Sequence, residues 1–422
     1  MSTTSLTGRE HRLRRMVGRD PHEPHRAASP LELLYDLTLV VAFSQAGTQM
    51  AHLLSVGHYG PAIGAFAFAM FAICWAWINF SWLASAFDND DVFFRIATMV
   101  QMMGVLIMAL GMPALFTSIE EGAHIDNAVV VAGYVVMRLS TIALWLRVAH
   151  DNPAHRTTAR LYALLIAIAQ VYWVVLIFIN PPIPVMVGLS AIAAIFEMLV
   201  PVIAERVGGN TPWHPHHIAE RYSLLIIITL GEVVLGTIIA ISAVVEEQGW
   251  SWEAGAVAFG GTALAFALWW LYFTMPSAEV LSAHRERGFL WGYGHIFLFA
   301  SVAAAGAGLH VAAYSIEGAA TIDHTAALLT LVIPVGIFLT ALFLLYGMLL
   351  RQVDTLHIGL AVGAIIALVA AVALVAAGTD IAIGIIVVVL APVIVIVGYE
   401  TVGHRHQADH LAKAVAPSKV TD

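Results

Sequence analysis

The sequence predicts an all-α, polytopic integral membrane bundle of about twelve transmembrane helices, and three observations predict it. The first is composition. Of 422 residues, 60% are hydrophobic and only 11% charged, with mean hydropathy +0.85. Soluble domains carry about 25% charged residues, so the solvent expected around this surface is lipid. The second is length: apolar runs close to the ~20 residues that cross a bilayer as a helix recur from end to end. The third is the sidedness of charge.

In chain order the runs lie roughly at 31–55, 61–86, 93–117, 127–148, 159–180, 183–205, 217–245, 253–275, 288–314, 325–350, 354–377 and 379–402. Asn180-Pro181-Pro182-Ile183-Pro184 separates the fifth from the sixth as a hairpin turn, because prolines cannot continue a helix. Gly378-Thr379-Asp380 is a second short turn, and Gly208 to Pro215 is a longer connection near the midpoint. With the N-terminus in the cytoplasm, Arg95, Arg147, Arg156, Arg160, Arg206, Arg285, Arg287 and Arg351 all fall on the inner side. So do Arg9, Arg12, Arg14, Arg15, Arg19 and Arg26 near the start and Arg405, Lys413 and Lys419 near the end. The outer loops carry Glu120, Glu121, Asp126, Glu246, Glu247, Glu253, Glu317, Asp323 and Asp380 and no Lys or Arg. One miscounted span would scatter these charges, and cytoplasmic loops are where Lys and Arg collect. Residues 1–30 read as a disordered cytoplasmic tail, 31–206 as a first six-helix half, 207–216 as a linker, 217–403 as a second half and 404–422 as a cytoplasmic tail.

Several function classes find no support. The net charge is −9 and the basic residues form no groove, so nucleic acid is not an expected partner. A single cysteine, Cys74, allows no intrachain disulfide and no cysteine metal site. The polar, arginine-rich start has no apolar core of a cleavable signal. No P-loop, nucleotide fingerprint or serine elbow occurs, and no cofactor is implied.

An internal parallel repeat of six plus six helices is expected. Glu32-Leu33-Leu34-Tyr35-Asp36 opens the first span much as Glu220-Arg221-Tyr222-Ser223 opens the seventh, and Ser44-Gln45 falls where Gly231-Glu232 falls. Cys74-Trp75-Ala76-Trp77 likewise matches Leu268-Trp269-Trp270-Leu271. An even number of spans between copies gives both the same orientation, an arrangement some transporters use.

These motifs also resemble the bacterial low-temperature-requirement A family. Glu32-Leu33-Leu34-Tyr35-Asp36-Leu37 is similar to that family's opening E-L-F-F-D-L, with Tyr35 in place of a Phe, an exchange expected to be harmless. His217-x-x-Glu220-Arg221 with Leu230-Gly231-Glu232 resembles its H-x-x-E-R…L-G-E. Trp269-Trp270-Leu271-Tyr272-Phe273 and Tyr293-Gly294-His295 resemble its W-W-x-Y-F and Y-x-H. The resemblance implies a multi-pass protein of the bacterial cytoplasmic membrane with these positions at its centre.

The residues themselves suggest chemistry by depth. Glu32 and Asp36 are i and i+4, on one helix face at the inner start of the first span. Acids there gain about 0.3–1 kcal/mol each from the helix dipole, so a helix cap competes with a paired-carboxylate site for a cation or proton. His217, Glu220 and Arg221 share the corresponding place on the seventh span, and are expected either as an interfacial ion pair or as partners of Glu32 and Asp36. Glu232 lies about 11 residues beyond Arg221, ~16 Å deeper. A charge at that depth costs at least ~2.5 kcal/mol unless paired, protonated or hydrated. Arg138, also mid-span, is the expected counter-ion, with Glu197 as the competing partner for Arg138. Gly231 is expected to let a neighbouring helix approach. Gln45, Gln49 and His52 form one polar stripe that could extend a route. Trp270 and its aromatic neighbours are belt, core or stacking surface for a substrate. His295 is a lone polar residue of a span, of the kind that usually makes an interhelical hydrogen bond. His214, His216 and His217 match no zinc spacing, so no metal site is expected.

The leading expectation is a non-enzymatic secondary transporter of a small solute, coupled to protons through Glu232, with the lipid bilayer as surroundings and self-association into a homo-oligomer left open. The alternatives are a membrane-embedded enzyme acting on a lipid or isoprenoid, and a non-catalytic membrane or cold-adaptation (stress) factor.

Overall fold

The computed structural model describes residues 13–21, 23, 27–352 and 355–415. Arg9, Arg12, Arg26 and Lys419, expected on the inner side, lie outside the described residues. Twelve long helices carry the fold. They are α1 (Pro30–Ser55), α2 (Tyr59–Phe87), α3 (Val92–Glu121), α4 (Ala128–Asp151), α5 (Arg156–Ile179), α6 (Ile183–Gly208), α7 (Pro215–Gln248), α8 (Trp252–Phe273), α10 (Gly288–Ile316), α11 (His324–Leu350), α12 (Thr355–Ala376) and α13 (Ile381–Gly398). Two shorter ones, α9 (Ser277–Ala283) and α14 (His404–Val415), lie at the ends of α8 and α13. Eleven helical segments are long and apolar enough to cross a membrane. The exception among the long helices is α1, whose 26 residues include Glu32, Asp36, Gln45, Gln49 and His52.

The helices begin and end where local chemistry stops them. Ser29 caps α1 through a reciprocal pair: its hydroxyl accepts from the Glu32 amide at 3.3 Å, and the Glu32 carboxylate accepts from the Ser29 amide at 2.8 Å. His214 caps α7, its Nδ1 accepting from the His217 amide at 3.2 Å. Asn180, at φ +39°, ends α5 in the left-handed region, and Pro182 directly precedes α6.

α10 is the central helix, with 83% of its spanning window buried, whereas α6 (22%) and α12 (28%) face lipid. Close approach depends on glycines. A Cβ on Gly306 of α10 would meet the Glu232 carbonyl oxygen at 2.6 Å, and one on Gly236 of α7 would meet the Gly306 oxygen at 2.6 Å. Gly231 has nothing within 4 Å of such a Cβ and is exposed, so it is not the glycine that admits a neighbour.

The described residues of the N-terminal segment are held against the inner ends of the bundle. Met16 is fully buried, and its amide donates to Asp151 at 3.1 Å. Arg147 donates to Asp91 at 2.9 Å and to the Arg14 carbonyl, and the Arg14 amide donates to Asp91 at 3.0 Å. Burial pushes the Asp91 carboxyl up. The Arg147 hydrogen bond, the Phe94 and Arg14 amides and the Arg147 charge outweigh that and hold it at about 2.

Candidate functional site

Three buried polar centres lie along the bundle. At their N-terminal ends, α1 and α7 are brought together by charge. Arg221 places one guanidinium nitrogen 2.6 Å from Asp36 and another 3.5 Å from Glu32. His217 approaches Glu32 at 3.3 Å. From α2, the Trp77 indole donates to Asp36 at 2.7 Å and Ser81 accepts from Arg221 at 3.2 Å. The guanidinium also sits 5.7 Å from the centre of the Trp77 ring. Glu32, Asp36, His217 and Arg221 are at most 1% exposed. Glu32 is therefore both helix cap and cluster member. Two carboxylates thus face one guanidinium and one imidazole.

Glu220 is not part of this cluster. It turns to a cavity of ≈550 Å³ that also touches His216, Tyr272 and Glu279. His214 uses both ring nitrogens, one on the His217 amide and the other donating to the Glu23 carbonyl at 2.8 Å. Among the described residues no group of three or more His, Cys, Asp or Glu is arranged to hold a metal.

The second centre lies midway along α4 and α6. Arg138 of α4 pairs with Glu197 of α6 at 2.9 Å, both completely buried. Arg138 is thus committed to Glu197, the competing partner, and is not the counter-ion of Glu232. Glu197 also accepts from Trp75 at 2.9 Å, Tyr134 at 3.0 Å and Gln170 at 3.2 Å. Four donors on one carboxylate is the saturation that a buried charge requires.

Glu232 is the third centre. It is 5% exposed on α7 and packed behind Gly306, and the polar side chain beside its carboxylate is Ser44 of α1. It forms no ion pair among the described residues. The expected polar stripe does not reach it: Gln45 and His52 are exposed on the outer face of α1 and Gln49 is half-buried. His295 is fully buried and satisfied, with Nδ1 on the Trp291 carbonyl at 2.8 Å and Nε2 on the Tyr272 hydroxyl at 3.0 Å. Trp270 lies apart from all three centres and donates to Glu400 at 2.9 Å, tying α8 to the C-terminal segment.

Trp75, Trp77, Ser81, Ser44, Tyr134 and Gln170 are members that the charge pattern alone did not select. Trp75 and Trp77 had a usable signal. Two residues apart on a helix point about 200° apart, so one α2 turn serves two opposite neighbours.

No solved structure matches the chain. An uncharacterized protein of Rhizobium meliloti (strain 1021) is 26% identical over 281 residues, which cover 64% of this chain and 65% of that protein's length. The pattern of the Bacterial low temperature requirement A protein (LtrA) matches residues 27–392, which include all three buried centres. The chain therefore belongs to the bacterial low temperature requirement A protein family, as a multi-span membrane protein.

Proposed function

We propose that the protein is a secondary transporter of a small solute in the bacterial cytoplasmic membrane, with both termini in the cytoplasm and Glu232 as its protonation site. The observation that carries this reading is the contrast in partners: a mid-span carboxylate with a serine hydroxyl beside it and, among the described residues, no ion pair is inexpensive to keep only in its protonated form or in contact with water or substrate. The Glu32–Asp36–His217–Arg221 cluster joins the first helix of one half to the first helix of the other, which suits an inner gate between two repeats moving against each other. The ≈550 Å³ cavity beside Glu220 and Glu279 is then its cytoplasmic vestibule. Arg138 and Glu197 hold the first half together and take no part in coupling.

The test uses proteoliposomes loaded with a pH-sensitive dye and screened against a panel of small solutes. The wild-type protein is expected to move protons with one solute class, and Glu232→Gln to abolish that flux while folding normally. Solute-dependent proton flux at the wild-type rate in Glu232→Gln overturns the assignment.

A further inference from the structure

Where α7 and α10 touch, each helix sets a glycine against the ionisable residue of the other. A Cβ on Gly306 of α10 would meet the Glu232 carbonyl oxygen at 2.6 Å and the Glu232 Cβ at 2.9 Å. A Cβ on Gly236 of α7 would meet the Gly306 oxygen at 2.6 Å and the ring carbon Cδ2 of His310 at 3.2 Å. Glu232 and Gly236 are i and i+4, and so are Gly306 and His310. Residues four apart lie one above the other on a helix. The seam therefore carries a carboxylate and, about 6 Å farther along it, an imidazole.

Both groups are buried and short of partners. His310 is 5% exposed, and its Nε2 has no hydrogen-bond partner among the described residues. Nε2 is bonded to Cδ2, so it belongs to the ring edge that lies against Gly236. Glu232 is likewise 5% exposed, with Ser44 of α1 beside it and no ion pair among the described residues. α1 closes one side of the seam, since a Cβ on Gly47 would lie 4.0 Å from the Ala307 Cβ. α11 closes another, with Thr330 and Leu331 against Gly308. Neither brings a buried ionisable group to it. His52 of α1, Tyr59 of α2, Glu246 and Glu247 of α7 and His324 of α11 are exposed near helix ends, and Tyr314, one turn beyond His310, is half-buried.

A buried imidazole nitrogen needs a hydrogen-bond partner, and a buried carboxylate needs a proton or a positive charge. One proton held between the two meets both needs, directly or through a single water. We propose that His310 is the proton partner of Glu232. The Glu232 O–H bond breaks as the Nε2–H bond forms, and the carboxylic acid and imidazole become a carboxylate and an imidazolium. No other reactant is needed, and the pair stays neutral overall, so the transfer adds no net charge to the interior. This inference rests on Glu232 as the protonation site and adds the next station, toward the C-terminal ends of α7 and α10.

The experiment records infrared spectra of the full-length protein in phosphatidylcholine nanodiscs from pH 5 to 9. It follows the carboxylic-acid C=O band that Glu232→Gln removes. That band is expected to be stronger in His310→Gln than in the wild type, by about twofold where the two differ most, because no imidazole then takes a share of the proton. Reciprocally, the imidazolium band that His310→Gln removes is expected to be lost in Glu232→Gln, where no carboxylate supports the charge. A residue that only fills space would leave both bands unmoved. His310→Phe keeps the ring without its nitrogens and should match His310→Gln; if one variant does not fold, the other carries the test. A Glu232 band of wild-type strength in the folded His310 variants overturns the proposal and leaves Glu232 as the protonation site. No Glu232-dependent band at any pH, in the wild type or in these variants, overturns the Glu232 assignment and the proposal with it.

Discussion

Glu197 and Glu232 are two buried glutamates in the interior of one bundle, and they are treated in opposite ways. Glu197 receives an arginine, an indole, a phenol and an amide. Glu232 has a serine hydroxyl beside it and, among the described residues, no ion pair. The first environment surrounds the carboxylate with donors from four side chains. The second makes a charge expensive and a change of charge informative. Burial of a carboxylate does not by itself mark function; the count and sign of its donors separate scaffold from candidate machinery.

The largest expected effect breaks the saturated site. Glu197→Ala strands Arg138 in a dry interior and should cost about 3–5 kcal/mol, read as reversible unfolding in mixed micelles. Replacing both partners by leucine should recover much of that loss, because neither charge then remains buried. Glu232→Gln should change stability by less than about 1 kcal/mol, since one neutral hydrogen bond is exchanged for another. A loss for Glu232→Gln as large as for Glu197→Ala would erase the distinction between the two sites.

A smaller effect sharpens the packing around the bare carboxylate. Gly306→Ala forces a methyl against the Glu232 backbone at under 3 Å, whereas Gly231→Ala meets open space. The first should destabilise by about 1–3 kcal/mol and impair any Glu232-dependent flux. The second should leave both unchanged within measurement. Equal outcomes would remove the close α7–α10 contact from the account.

The smallest effect comes from a carboxylate at the water face. Asp91, paired with Arg147, is held at about 2, below the ordinary aspartate value of 3.8. A lowered carboxyl adds stability that is fully present above the ordinary value and is lost as pH falls through the folded one. Anchoring of residues 13–21 should therefore persist at neutral pH and weaken between about pH 4 and 2. Proteolysis of the N-terminal segment across that range, with acid-stable pepsin, measures it. Asp91→Asn should release the segment already at pH 7.

The pairing of Glu32 and Asp36 with His217 and Arg221 was legible in the sequence because spacing along a helix gives both face and depth. Arg138 was misassigned for the complementary reason. Depth is readable from residue number, but which helix faces which is not: Arg138 and Glu232 lie at similar depths on helices with different neighbours. Gly231 failed in the same way, since it points to lipid while Gly236, five residues on, meets α10. Tyr35 carries a further lesson. Expected as a harmless exchange, it places a fully buried hydroxyl with no hydrogen-bond partner among the described residues. The 6+6 repeat expected for this chain rests on motif offsets alone.

α2 gives one indole to Asp36 and, two residues earlier, another to Glu197. Both bonds are anchored to the same rigid turn. A rotation of α2 that lengthens one of these bonds would also reorient the other, so a single turn ties the α1–α7 cluster to the Arg138–Glu197 pair.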